Sequence, residues 1–261
     1  MYPNATSANP NRMARIFSSD NGENWAIEEM TTKLYSTSES LIPRAVGAFF
    51  GSGKLAVDTV HVGTPTKPRI YGALLAKTAS SNYNNFGVYS DDLGETWSVL
   101  GCDTVNPVAS GDEPKVEILP NGQILLSARR GGGRIFNVFT YGTEENNEAN
   151  GVGTWGTATN GCSNCGSNAT NGEIFLVDAQ NAEGTAVKLL LQSQPKGGSG
   201  QYDRKDVTIW YKEISAASDA VHTATDIAAN WIEGMQVSTQ LSSYSTTVSY
   251  THLTLPTMAV V

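Results

Sequence analysis

One octapeptide occurs twice in this chain, and it limits the architecture more than any other feature. Ser18-Ser19-Asp20-Asn21-Gly22-Glu23-Asn24-Trp25 and Ser90-Asp91-Asp92-Leu93-Gly94-Glu95-Thr96-Trp97 both read Ser-x-Asp-x-Gly-x-x-Trp. Each follows a short β-like stretch. The pattern has a mechanical reading: the Asp side chain accepts from backbone N–H groups, Gly takes a left-handed conformation, and Trp packs beneath the turn. Asp20 and Asp92 therefore read as turn formers and not as catalytic groups. A chain that builds one turn twice builds one structural unit twice. The copies begin 72 residues apart, against roughly 40 to 50 for a compact β repeat of this kind. Either a unit between them lacks the octapeptide, or the units carry long loops.

Short strand-like runs fill most of the remainder. They are Val46 to Phe50, Arg69 to Leu75, Phe86 to Tyr89, Val116 to Ile118, Ile124 to Arg129, Ile135 to Tyr141, Ile174 to Val177, Val187 to Leu191 and Val207 to Lys212. The single helical candidate runs from Ala224 to Trp231. Strands without crossover helices predict an all-β, antiparallel protein, and 26 glycines with 10 prolines supply the turns between them. Pro120-Asn121-Gly122 marks a tight hairpin between the Val116 and Ile124 strands. Ile124-Leu125-Leu126 and Leu189-Leu190-Leu191 are apolar at consecutive positions, which predicts burial on both faces of the sheet. Sheets stacked front and back, as in propeller blades, provide that.

Charge and spacing exclude several function classes. The net charge is −8 with 17 Lys and Arg, and no basic run could neutralise a phosphate backbone, so nucleic acid is not an expected partner. No stretch has the eighteen or so apolar residues of a membrane-spanning helix. Cys162-Ser163-Asn164-Cys165 has the spacing of zinc ligands, but no second pair completes four ligands. A loop disulfide and two idle thiols remain as alternatives. Cys102 is the odd cysteine. His61, His222 and His252 stand too far apart for a metallohydrolase pair, so neither metal nor cofactor is expected. Asn4 and Asn168 begin short glycosylation patterns.

One segment offers chemistry. From Gly111-Asp112-Glu113-Pro114 to Ser127-Ala128-Arg129, a carboxylate stands just before one strand of the hairpin and a cation at the end of its partner. Hairpin geometry places both at one rim of a sheet. Charged residues at strand ends are ordinarily just solvated, so the pair means little by itself.

The octapeptides and this hairpin together resemble the bacterial exo-sialidase family, in which the octapeptide is called the Asp box. In that family a Glu acts as base to a tyrosine nucleophile, and an Arg sixteen residues later binds the sialic acid carboxylate. The resemblance gives these roles to Glu113 and Arg129, with Arg130 as the competing cation. Asp203-Arg204-Lys205-Asp206-Val207 resembles the segment carrying another carboxylate-binding Arg, which is Arg204. Ser243-Tyr244-Ser245-Thr246 resembles the nucleophile segment and points to Tyr244. The resemblance implies a sialidase-type six-bladed β-propeller, present as an incomplete ring of blades. It also implies hydrolysis of terminal sialic acid from sialylated glycans with retention and without cofactor or metal, and a secreted, periplasmic or cell-surface location. The residue types suit the substrate: planar guanidinium groups pair with the sugar's carboxylate. A neutral phenol also approaches the anomeric carbon without the repulsion that a carboxylate nucleophile would meet.

The sequence departs from the family at both ends. No Arg-Ile-Pro segment and no general-acid Asp precede the first octapeptide, and no Glu follows Tyr244. Residues 1–247 are therefore expected to be part of a catalytic propeller, inactive as it stands, and residues 248–261 to be a non-native tail. A non-catalytic propeller binding glycans or proteins is the rival reading.

Overall fold

The computed structural model describes residues 12–31, 45–51, 53–78, 83–101, 105–131, 133–162, 165, 170–197, 203–242 and 244–247. Cys102, Asn4, Asn168, His252 and the 248–261 segment lie outside them. Every strand pairing among the described residues is antiparallel, and the strands form four sheets. The first pairs β1 (Ala14–Phe17) with β2 (Ala26–Glu29). In the second, β3 (Ala45–Phe50), β5 (Arg69–Thr78), β6 (Tyr83–Ser90) and β7 (Ser98–Val99) lie in that order. Two short strands, β4 (Ala56–Asp58) and β8 (Val108–Ala109), add to β5 and β6. The third sheet orders β9 (Asp112–Ile118), β10 (Ile124–Arg130), β11 (Gly133–Tyr141) and β12 (Gly153–Trp155), with β13 (Thr159–Gly161) also on β11. The fourth orders β14 (Glu173–Gln180), β15 (Ala186–Pro195), β16 (Val207–Ile214) and β17 (Ile232–Ser238).

The two octapeptides fold into the same turn. Ser18 Oγ donates to Asp20 Oδ1 at 2.7 Å and accepts from Gly22 N at 2.8 Å; Ser90 Oγ does the same with Asp92 and Gly94 at the same distances. Asp20 and Asp92 each accept, at 2.8 Å, from the backbone four residues on. Gly22 and Gly94 have φ of +91° and +88°, which a side chain would strain. One turn links β1 to β2 and the other links β6 to β7, so the copies lie on successive sheets. Of the two sequence alternatives, long loops account for the wide spacing. Trp97 packs on Phe50, with ring centroids 4.9 Å apart. Trp25 donates to Gly22 O at 3.1 Å yet stays 65% exposed, short of the burial expected.

Apolar clusters join neighbouring sheets face to face. Tyr71, Leu100, Val116, Leu126 and Phe139 fill the space between the second and third sheets. Leu119, Leu125, Phe136, Ile174, Leu190 and Trp210 fill that between the third and fourth. Ile124, Leu125 and Leu126 are therefore all buried, as their consecutive apolar character predicts. Leu189 and Leu191 are only half-buried, because no other described sheet packs on that face of the fourth sheet. No closed ring forms among the described residues; the observed architecture is a stack of antiparallel sheets.

The helix is shorter than its sequence suggests. α1 (Ala224–Ala228) starts at a reciprocal Thr223–Asp226 capping box. It ends before Asn230, whose φ is +59°, and Trp231 turns back to donate to Ile227 O at 2.9 Å. The chain then enters β17, an edge strand exposed at six of seven positions. Cys162 and Cys165 form a disulfide, and among the described residues no group of three His, Cys, Asp or Glu side chains is placed to hold a metal. No helix among them is long and apolar enough to cross a membrane.

Candidate active site

The site begins with a bulge. Ser127 pairs with Lys115 and Arg129 with Asp112, so Glu113 and Pro114 together stand opposite Ala128. The extra residue turns Glu113 out of the ladder and holds it at φ +42°, a conformation that costs a non-glycine residue on the order of 1 kcal/mol or more. The bulge is clamped from the preceding sheet. Asn85 donates to Gly111 O at 2.9 Å, and Gly51 approaches so closely that a Cβ there would lie 1.7 Å from Pro114 O.

So aimed, Glu113 Oε2 accepts from Arg129 Nη1 at 2.9 Å, with Asp112 Oδ2 farther off at 3.8 Å. Arg129, not Arg130, is the cation that reaches Glu113. Burial works against the charge of Arg129, but Glu113, Asp112 and Tyr244 outweigh it and leave the guanidinium above its ordinary value.

Tyr244 arrives from a different part of the chain. Interaction with Glu113, followed by partial burial, holds the phenol above its ordinary value. Arg129 and Arg204 pull it back down, which places both cations within electrostatic reach of the phenol oxygen. The side chain is 51% exposed. Arg204 precedes β16, its backbone oxygen accepts from Ser242 N at 2.5 Å, and its Nε is buried without an acceptor among the described residues. Glu113 and Arg129 thus pair at the rim of the third sheet, and Tyr244 and Arg204, distant in sequence, come within electrostatic reach of one another and of that pair.

The sequence did not single out a buried layer beneath them. Arg134, directly opposite Arg129 on β11, donates to Ser127 Oγ and O and to Thr170 O. Burial brings it down to about 10 although Glu113 and Glu173 pull it up. Lys115 is 2% exposed and lies 3.9 Å from Glu173, which is 0% exposed. Burial lowers Lys115 to about 8 against the pull of Glu173 and Glu113, and burial raises Glu173. The available cue was Glu113-x-Lys115-x-Glu117, a run of alternate charges in a strand between apolar sheets. Glu173, at the first position of an ordinary strand, gave none.

The arrangement can move one proton and hold one anion. A phenol that donates to a carboxylate can pass its proton along that bond as its oxygen attacks. The two guanidinium groups then stabilise the charge left on oxygen and can pair with a carboxylate on the substrate.

No protein-family model and no curated protein matches the chain. Solved structures do. A Hadza microbial sialidase aligns at a TM-score of 0.52 and 22% identity, covering 77% of this chain and 34% of that one. The Trypanosoma rangeli sialidase bound to the inhibitor DANA aligns at 0.54 and 14% identity, covering 89% and 34%. The same enzyme with 2,3-difluorosialic acid, described as a covalent intermediate, aligns at 0.50 and 14%, covering 89% and 33%. The chain spans about a third of the length of these structures. At such identities the likeness is one of fold: the chain is all-β, and its antiparallel sheets are arranged as in part of a sialidase.

Proposed function

We propose that residues 1–247 are part of the catalytic propeller of a retaining exo-sialidase, whose sheets are its blades. What supports this reading is the bulge that aims Glu113 at Arg129, 2.9 Å away, with Tyr244 and Arg204 within electrostatic reach. In the first step Tyr244 Oη forms a bond to the anomeric carbon of sialic acid, its proton passes to Glu113, the bond to the leaving group breaks, and the departing oxygen takes a proton from solvent. Arg129 and Arg204 hold the sugar's carboxylate throughout. In the second step water attacks the same carbon and gives up a proton to solvent, the bond to Tyr244 breaks, and Glu113 returns its proton to the phenol oxygen. Two inversions retain configuration, the tyrosine-nucleophile exception among glycosidases. The sialidase neighbours support sialylated glycans as the substrate class. The Cys162–Cys165 disulfide supports an oxidising, extracytoplasmic setting.

A leaving group that needs no proton makes the test independent of any general acid. With 2,3-difluorosialic acid, the anomeric fluoride departs unprotonated and the fluorine at C3 slows the second step, so a tyrosyl adduct accumulates. The 261-residue chain should gain the mass of one fluorosialosyl group on Tyr244, detected by peptide mass spectrometry, and Tyr244→Phe should gain none. Sialic acid binding without any adduct would sink the catalytic reading and favour the non-catalytic glycan-binding propeller.

A further inference from the structure

The 244–247 segment belongs to no strand, and a few bonds fix it. Ser245 N donates to Asn171 O at 3.4 Å, the Ser245 and Ser193 hydroxyls meet at 3.1 Å, and Thr246 Oγ1 donates to Glu173 Oε2 at 3.2 Å. The first is long and the second joins neutral groups. Of these three only the last has a charged partner, the kind that at its usual length contributes about 1.5–3 kcal/mol against about 1 for a neutral bond, although at 3.2 Å it is long for its type.

That partner is an expensive one to keep. Glu173 is wholly buried with Oε1 lacking a partner among the described residues, and desolvating such an ion costs several kcal/mol. The fold preserves it nonetheless. Gly53 leaves the space, since a Cβ there would lie 2.4 Å from both Glu173 Oε2 and Lys115 Nζ. Lys115 stands between two carboxylates, feeling the charge of Glu173 and of Glu113. A neutral side chain would fill this space at lower cost; what it would lack is the charged acceptor for Thr246, two residues from Tyr244.

Resting on the functional reading above, we propose that Glu173, countered by Lys115, is a positioning residue for the nucleophile. Through Thr246 it sets the reach of the Tyr244 hydroxyl to Glu113. It touches no reacting atom. Its effect is on distance, and displacement of a reacting group by about 1 Å can slow a reaction about 100-fold.

Two variants of the 261-residue chain test this. Thr246→Val keeps shape and removes the donor; Glu173→Gln keeps an acceptor oxygen and removes the charge. The first readout needs no catalysis: the Tyr244 phenol is titrated by NMR of ring-labelled tyrosine, with Tyr244→Phe assigning the signal. In Thr246→Val the phenol should fall from its raised value toward the ordinary tyrosine value of about 10. Glu173→Gln should move it the same way and less far. An unchanged titration in both variants overturns the proposal. The second readout is the rate of labelling by 2,3-difluorosialic acid, which should drop about 10- to 100-fold in Thr246→Val while sialic acid affinity holds. Equal loss of labelling and affinity would mean a merely structural role and also overturns the proposal. If the titration moves but even the unaltered chain is never labelled, positioning stands and the sialidase reading falls.

Discussion

The two halves of the candidate site rest on unlike supports. Glu113 and Arg129 stand on the third sheet, which is covered on both faces; Arg204 and Tyr244 stand beside the fourth, which is covered on one. Leu125 is 0% exposed in the cluster between the third and fourth sheets, whereas Ile232 and Met235 at the far edge of the fourth sheet lie largely in solvent. A doubly packed sheet fixes its rim through close contact over its whole area. A singly packed one must fix its rim residues one bond at a time, as the Ser242–Arg204 and Thr246–Glu173 contacts do. Precision on one side comes from packing and on the other from individual polar ties.

This contrast can be broken by mutation, beginning with the largest effect. Leu125→Ala should destabilise the chain by about 3–5 kcal/mol, and Leu189→Ala, half-buried on the open sheet, by about 1 kcal/mol; equal shifts in urea midpoint would erase the distinction. Gly51→Ala should cost about 1–3 kcal/mol and displace the bulge, since the clash is with the Pro114 carbonyl and no side chain can give way. Its signature is a loss of sialic acid binding with the fourth sheet intact by hydrogen exchange. Trp97→Ala, removing a ring packed on Phe50, should cost about 2 kcal/mol, and Trp25→Ala less than about 1 kcal/mol, measured by thermal unfolding.

A further effect is pH-dependent. Lys115 falls from its ordinary 10.5 to about 8 on folding, so between those values the unfolded chain binds more protons. Stability should therefore rise as pH climbs from about 8 toward 10.5. Lys115→Met should flatten that part of the profile; a slope unchanged in the variant would locate its source elsewhere.

Much of this was legible because the signals were local. Each of the nine strand-like runs lies within or overlaps an observed strand, and the paired octapeptides gave the same turn twice. β17 was missed because an exposed edge strand has no apolar period to read. Leu189-Leu190-Leu191 looked like Ile124-Leu125-Leu126 but lacks the second covering sheet, which no window of sequence can show. For the site, Glu113 and Arg129 could be read as a hairpin pair, while bringing in Tyr244 and Arg204 rested on resemblance. Glu173 and Arg134 were invisible because what matters about them is what buries them.

The bulge at Glu113–Pro114 also has an evolutionary consequence. Strand side chains alternate, so removing one residue there would restore an unbroken ladder and leave a single side chain opposite Ala128, facing the apolar cluster of Val116 and Leu126. An in-frame loss of the Pro114 codon would thus turn the carboxylate away from Arg129 and Tyr244 and into apolar surroundings, at a cost of several kcal/mol. In such a lineage a glycan-processing scaffold and its silent copy would stand three nucleotides apart, and the difference would be written in the parity of one strand.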